Sequence, residues 1–299
     1  MLPTAAFVFC CRVDLLAESR TLPATLEWTF VPEVPMERRQ FLAASIATSA
    51  ATLAGNAAAQ VPPPVPRQFY QLRRYNLISG PQLQLTEDYF GKALIPALGR
   101  MSMGPVGAFK LDIGQDTPAY YLLVPGPSVG ALAELDLHLA KDEDFLKVAA
   151  PFWNATAAAP AFQRVDISLL AAFEGWPKLT PPPPSATRDK RIFQLRTYES
   201  PSNGDHVRKV EMFHSGEFDI FLKAGFHPVF FGDALCGARL PSLTYMLAFT
   251  DTAELEAKWD IFRNDPDWKK LSASPRFAFD QLVTNISNLM LSPLACSQI

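Results

Sequence analysis

A short motif occurs twice in this chain, and the spacing of its copies constrains the fold more than any other feature. Phe69–Asn76 contains Gln-Leu-Arg-Arg-Tyr, and Ile192–Glu199, 123 residues further on, contains Gln-Leu-Arg-Thr-Tyr. Residues 141–145, which read Lys-Asp-Glu-Asp-Phe, align at the same offset with residues 264–268, which read Asn-Asp-Pro-Asp-Trp. An offset that is kept between distant segments predicts an internal duplication.

Each copy of the motif has the composition and alternation of a β-strand. Side chains alternate across a strand, so one face of each copy carries a polar triplet. The triplets are Gln71, Arg73 and Tyr75 in the first copy, and Gln194, Arg196 and Tyr198 in the second. Two interpretations follow. The triplet lines a cleft for an anionic or polar ligand, or it forms a hydrogen-bonded network at a packed seam, since a buried arginine must be paired.

The hydrophobic pattern predicts the order β-α-β-β-α-β in each copy, which is the ferredoxin-like arrangement. Residues 128–141 are predicted as one helix, Val207 as an inward-facing helical residue, and 277–291 as the last strand. Residues 120–124 and 245–249 are apolar on both faces, so both faces of these strands should be covered. The prediction is an α+β fold in which two tandem ferredoxin-like repeats pack their sheets back to back as an α/β barrel within one chain.

The N-terminal region has the pattern of an export signal. Arg38 and Arg39 precede an uncharged, small-residue run that ends in three alanines at 57–59. This pattern predicts a twin-arginine-type signal peptide over 36–59 and a periplasmic or otherwise exported protein with no membrane span in its mature form. A membrane anchor is the alternative, although the run is weakly hydrophobic. Residues 1–35 make little sense before such a signal and are interpreted as an artefactual upstream extension.

Proline-rich segments set the remaining boundaries. Residues 60–66 form a lead-in and 177–190 a linker. They leave 67–176 as the first repeat and 191–295 as the second.

Composition excludes several classes of function. The formal net charge is −3 and no basic face is evident, so the sequence predicts no nucleic-acid partner. No Cys/His spacing resembles a metal site, and no glycine-rich loop precedes a helix in the way that phosphate-binding loops do. We therefore expect neither a metal nor a cofactor.

Three features together resemble the NIPSNAP family of the dimeric α/β-barrel superfamily. They are Leu-Arg-Thr-Tyr at 195–198, Asp-Pro-Asp-Trp at 265–268, and a repeat of about 100 residues. The resemblance covers roughly 67–295 and implies an exported bacterial member with tandem domains. It implies no reaction, although the superfamily includes cofactor-free monooxygenases and isomerases. The first repeat has Asp-Glu-Asp-Phe at 142–145 and is the more diverged copy.

The second repeat holds the candidate site residues. His214 and Glu217 are one helical turn apart, which predicts an acid–base pair. The alternative is an edge histidine that is hydrogen-bonded to backbone. Arg196 and Tyr198 are predicted ligand-binding residues, as are Trp259 and Trp268, although large aromatic residues at helical spacing also build cores. Arg73 and Tyr75 are the corresponding predictions in the first repeat.

Two functions fit these residues. The first is a binding module for a small organic ligand or a protein partner, with assembly into a homo-oligomer left open. The second is a cofactor-independent small-molecule enzyme of the monooxygenase or isomerase type, with an acid–base histidine in the second repeat. Whether the protein is an enzyme is left open by the sequence.

Overall fold

The computed structural model describes residues 66–78 and 80–299. The predicted signal at 36–59, the segment 1–35 and all but the end of the lead-in lie outside the described residues. Within the described residues, no helix has both the length and the apolar character that a membrane crossing needs.

Eight strands form one closed antiparallel barrel. The strands are β1 Phe69–Asn76, β2 Gly107–Ile113, β3 Ala119–Gly126, β4 Arg164–Ala172, β5 Ile192–Glu199, β6 His227–Cys236, β7 Ser242–Phe249 and β8 Asn285–Pro293. Their order around the barrel is β1-β3-β2-β8-β5-β7-β6-β4, and β4 pairs with β1 to close it. The first four strands and the last four therefore have the same internal order.

The two halves meet edge to edge, which corrects the prediction of two separate sheets packed back to back. β2 pairs with β8 and β4 pairs with β6, both antiparallel. Closure leaves no exposed sheet edge. The strands that are apolar on both faces are still covered on both sides, because one face packs into the barrel interior and the other packs under helices.

Helices cover the outside of the barrel. They are α1 Pro81–Asp88, α2 Ile95–Arg100, α3 Val129–Ala133, α4 Leu135–Leu139, α5 Glu143–Trp153, α6 Pro184–Thr187, α7 Asn203–Met212, α8 Phe218–Lys223, α9 Thr252–Asn264, α10 Pro266–Ser272 and α11 Phe279–Leu282. A π-helical turn joins α1 to α2 over Tyr89–Leu94, and another joins α7 to α8 over Phe213–Glu217. The linker is more than a spacer, since it contains α6.

Several predicted elements have different limits in the structure. The helix predicted at 128–141 is two short helices, α3 and α4, and part of the strand predicted at 277–291 is the helix α11. Val207 is 63% exposed, because α7 turns His206, Lys209 and Met212 inward instead. The offset of 123 residues nevertheless relates the first residues of β1 and β5, of β3 and β7, and of α3 and α9.

Three apolar clusters hold the fold together. One lies between the helices and the outer face of the first four strands, and a second lies in the same place in the other half. The third fills one end of the barrel interior and includes Tyr70, Phe109, Phe193, Phe230 and Met246. An eight-stranded barrel is just wide enough to be filled by side chains of this size.

Candidate functional site

The outer face of β5 carries the second polar triplet into a cavity under α9, α10 and α11. The cavity has a volume of about 350 Å³. Arg196, Tyr198, Trp259 and Trp268 all line it, so four of the predicted ligand-binding residues lie together. Glu217 lines it as well.

Arg196 is held by aromatic groups. Its guanidinium carbon lies 4.4 Å from the ring centroid of Trp259, and its Nη2 donates to the Tyr198 hydroxyl at 3.1 Å. The hydroxyls of Tyr198 and Tyr245 are 2.7 Å apart. Burial raises the pKa of Tyr198, and the nearby Arg196 charge opposes this rise. Burial raises the pKa of Tyr245 as well, so both tyrosines stay protonated at neutral pH and can donate hydrogen bonds.

Arg196 has no ionic partner among the described residues. No carboxylate oxygen in that part of the chain lies within 4.0 Å of its side-chain nitrogens. The same distance limit finds sixteen ion pairs between other residues. Its Nε is buried and has no hydrogen-bond partner. An arginine remains charged in any protein environment, so this cavity wall carries an uncompensated positive charge.

A buried ion pair lies beside the arginine. Lys209 Nζ is 2.5 Å from Glu217 Oε2, and the side chains are 0% and 1% exposed. The ammonium nitrogen also lies 4.3 Å from the ring centroid of Phe213 and 5.0 Å from that of Phe279. Burial lowers the pKa of Lys209 and raises the pKa of Glu217, and the attraction between the two charges opposes both changes.

The first half of the barrel treats the matching arginine differently. Arg73 Nη1 lies 2.9 Å from Asp136, and its Nε donates to Gln71 at 2.5 Å. Its Nη1 also lies 3.5 Å from the Tyr75 hydroxyl. Arg73 is only 3% exposed. In this half the interpretation as a neutralised, packed network describes the geometry, and Tyr75 is buried as well.

Three positions at the 123-residue offset account for the difference between the halves. Where the first half has Asp136, the second has Trp259, so the carboxylate is replaced by a ring that stacks on the arginine. Where the second half has Lys209 and Glu217, the first half has the buried residues Thr86 and Leu94.

His214 does not form the predicted pair with Glu217. Its ring lies at the exposed outer edge, where Nε2 accepts from the Gly175 backbone N–H at 3.0 Å and Nδ1 donates to the Val210 carbonyl at 2.9 Å. The pair is not formed because the turn Phe213–Glu217 is π-helical and Gly216 has φ 134°, which changes the direction of side chains three residues apart. Glu217 faces Lys209 instead. His214 is the edge histidine of the alternative interpretation.

The two tryptophans belong to the core and also form the cavity wall. Trp259 is 8% exposed and its Nε1 donates to Gln194 Oε1 at 2.8 Å, while Trp268 is half-buried against Phe262 and Phe279. Lys209 and Phe279 were not among the site residues predicted from the sequence. The signal for Lys209 was its place three residues from His206 and Met212, on the face that α7 buries.

Comparison with known families identifies the half that holds this cavity. The NIPSNAP family model matches residues 193–298. The segment similar to the NIPSNAP model therefore contains the residues that line the Arg196 cavity, and Lys209 with them. No curated protein matches the chain in sequence.

Several solved structures are similar to parts of this chain. A protein from Lactobacillus acidophilus NCFM that carries a provisional monooxygenase name superposes with a TM-score of 0.50 at 11% identity, over 76% of this chain and 94% of its own. Two NIPSNAP proteins, from Burkholderia xenovorans and Agrobacterium tumefaciens, each cover 35% of this chain at 16% identity and a TM-score of 0.32, with 86% and 89% of their own chains. At these identities the first structure supports the α/β-barrel architecture and carries no reaction across.

Proposed function

We propose that the NIPSNAP domain binds a small planar organic anion, a carboxylate or a phenolate, in the Arg196 cavity. The observation that carries this proposal is that Arg196 has no carboxylate partner among residues 66–78 and 80–299. A charge that is partly removed from water needs a counter-charge, and the guanidinium presents a fork that suits a carboxylate.

The balance of charge around the cavity supports an anion. Arg196 and Lys209 are positive and Glu217 is negative, which leaves one positive charge. The exposed lining residues Glu256 and Arg263 add one charge of each sign. In the first half, by contrast, Asp136 neutralises Arg73.

The shape and composition of the wall support a planar ligand. Trp259, Trp268, Phe279 and Tyr198 present rings to a cavity of about 350 Å³. That volume lies at the small end of the range for organic ligands, which is roughly 300–1,000 Å³. Aromatic rings favour offset or edge-on contact with another flat ring.

The test uses 2-naphthoate as the probe and isothermal titration calorimetry as the measurement. We expect the wild-type protein to bind 2-naphthoate, and Arg196→Gln to weaken binding by about tenfold or more, since a hydrogen bond to a charged group contributes roughly 1.5–3 kcal/mol. Trp259→Asp recreates the arrangement of the first half by giving Arg196 a carboxylate, and it should abolish binding.

Arg73→Gln is the matched control, because it removes the equivalent arginine of the other half. It should lower thermal stability while the affinity for 2-naphthoate stays the same. The uncharged analogue 2-naphthamide should bind more weakly than the acid. Equal affinities of wild type and Arg196→Gln would exclude this function for the cavity.

A second function, a cofactor-independent enzyme, is favoured by the position of Glu217. Its side chain lines the cavity beside Arg196, and burial raises its pKa. A carboxylate in this position could take a proton from a carbon next to a carbonyl while Arg196 binds the enolate oxygen, and then return the proton. Glu217 replaces His214 in this role because His214 faces away.

This second function predicts proton exchange. Nuclear magnetic resonance should show the protein catalysing deuterium exchange at the α-carbon of 2-tetralone in D₂O, and Glu217→Gln should abolish the exchange without abolishing naphthoate binding. Absence of exchange with the wild-type protein would leave binding alone as the function.

We infer that the protein acts outside the cytoplasm, and the arginine pair at 38–39 and the alanines at 57–59 support this. We also infer that the halves are tandem ferredoxin-like repeats with a common origin. The shared strand order and the constant offset of 123 residues support that inference.

A further inference from the structure

The barrel interior changes in character from one end to the other. On β5 the inward residues are Phe193, Leu195 and Thr197, and on β7 they are Met246 and Thr244. Large side chains therefore fill one end, and smaller hydroxyl-bearing ones line the other. A barrel of eight strands can hold one small ligand when its interior is not filled in this way.

The unfilled end contains a cavity of about 790 Å³, to which both halves of the barrel contribute. Its deep wall is apolar and consists of Leu72, Tyr121, Leu170, Leu195 and Leu289. This cavity is separate from the Arg196 cavity, because side chains of β5 alternate across the sheet. Ile286, at the end of β8, lines both.

A band of hydroxyl groups lies above the apolar wall. Ser168, Thr197, Ser242, Thr244 and Ser287 line the cavity. The Oγ1 atoms of Thr197 and Thr244 are 2.9 Å apart, so one hydroxyl donates to the other. The accepting hydroxyl keeps its own O–H, which can donate to a ligand.

Charged residues stand at the opening, and each arginine there has its own carboxylate. Arg74 lies 3.1 Å from Asp116, and Arg164 lies 3.2 Å from Asp166. Arg239 lies 3.6 Å from Glu199. Within the part of the chain that the structure describes, these pairs leave no unmatched charge at the opening, in contrast to the Arg196 cavity.

Apolar side chains are exposed beside these pairs. Leu240 is 50% exposed and Ile286 is 36% exposed, and both line the cavity. The lining therefore passes from an apolar floor, through hydroxyl groups, to an opening of balanced charge with exposed apolar side chains.

We propose that the open end of the barrel is a second binding site, which takes one small uncharged amphipathic molecule. The apolar body of the ligand packs against the leucines of the deep wall. Its hydroxyl or carbonyl groups form hydrogen bonds with the Thr197–Thr244 pair and with the serines that line the cavity. A charged head group is disfavoured because it would lose water without meeting an unpaired opposite charge.

The probe for this site is n-octyl-β-D-glucoside below its micelle-forming concentration, and the measurement is isothermal titration calorimetry on the full chain. The glucoside has an eight-carbon apolar body and an uncharged head with several hydroxyls. Octanoate has an alkyl chain of similar length but a charged carboxylate head. We expect the glucoside to bind at one site per chain and octanoate to bind at least tenfold more weakly.

Two kinds of variant locate the binding. Ser168→Phe fills the cavity and should abolish glucoside binding. Thr197→Val with Thr244→Val keeps the shape but removes both hydroxyls, and should weaken binding by about three- to tenfold, the size expected for lost hydrogen bonds. Thr187→Phe, on the exposed helix α6, is the control for adding a ring and should change nothing. Circular dichroism melts confirm that each variant is folded.

The threonine variants keep the test decisive if Ser168→Phe does not fold. Failure of the wild-type protein to bind the glucoside would overturn the proposal. Unchanged affinity in the threonine double variant, or octanoate binding as tightly as the glucoside, would overturn it equally. These results are independent of naphthoate binding at the Arg196 cavity.

Discussion

The buried pair Lys209–Glu217 allows a sharp prediction, because its members can be removed one at a time or together. Both side chains are almost completely buried and 2.5 Å apart. Glu217→Leu leaves the Lys209 ammonium without its partner, and removal of one member of a buried pair costs roughly 3–5 kcal/mol. Lys209→Met should cost less, because Arg196 also lowers the pKa of Glu217 and so helps to keep that carboxylate charged.

The double variant Lys209→Met with Glu217→Leu should recover most of the loss. Leucine is the residue found at the matching position, Leu94, where it is fully buried. Methionine has nearly the length of lysine, and its sulfur would pack against the rings of Phe213 and Phe279. Replacing a buried ion pair by apolar residues of similar volume is often neutral or stabilising. We expect the double variant to lie within about 1 kcal/mol of wild type.

The assay is urea denaturation followed by tryptophan fluorescence, since Trp259 and Trp268 belong to the same core. The deficit of Glu217→Leu should also shrink as pH rises from 7 towards 10. Burial lowers the folded pKa of Lys209 and the Glu217 charge opposes this, so Glu217→Leu lowers that pKa further. A lysine with a lowered folded pKa binds fewer protons in the folded state than in the unfolded state, so the unfolding free energy of the variant rises with pH more than that of wild type. Strictly additive losses in the double variant, or single losses below about 1 kcal/mol, would refute the reasoning.

Three further outcomes are expected. Burial by itself raises the pKa of Glu254, but hydrogen bonds from Lys258 and Thr250 outweigh it and lower the pKa to about 2. The stability that the Glu254 carboxylate contributes should be present above a pH of about 4.3 and be lost as pH falls towards 2. Glu254→Gln should flatten that part of a stability–pH curve. Leu123→Asp places an unpaired carboxyl in the barrel interior and should cost several kcal/mol in urea denaturation, so a loss below about 1 kcal/mol would contradict the burial of that side. His214→Ala should cost only about 1 kcal/mol, and calorimetry should find the same naphthoate affinity, because its bonds are to exposed backbone.

Individual strands and helix starts could be predicted from the sequence. The alternation in Gln-Leu-Arg-x-Tyr predicted β1 and β5. The start of α9 also has a local pattern, since Asp251 and Glu254 have the spacing of a capping box and the Asp251 side chain accepts from the Glu254 backbone N–H at 2.9 Å. Arg196, Tyr198, Trp259 and Trp268 were predicted as a group, and they line one cavity. The strand faces and the helix start depend on neighbours within a few residues, so a local pattern predicts them, whereas the four cavity residues were selected by residue type and motif.

Contacts between segments that are distant in the chain could not be predicted from local patterns. The pairing of β2 with β8 and of β4 with β6 closes the barrel, yet edge strands carry no mark of which partner they will meet. The direction of Glu217 depends on a π-helical turn, which moves it from His214 to Lys209. The helical period of 3.6 residues could not predict this change, because it assumes regular turns.

The sequence by itself determined which residue types occur on each face of the strands, and it determined that the motif occurs twice. Only the tertiary structure decided that one arginine is neutralised and the other is not. Arg73 meets Asp136, and Arg196 meets Trp259, although both arginines belong to the same motif. The partner in each case lies more than sixty residues away in the chain, on a helix that the barrel brings over the strand. The charge state of a site is therefore set by packing between elements, because charges interact through space and not along the sequence.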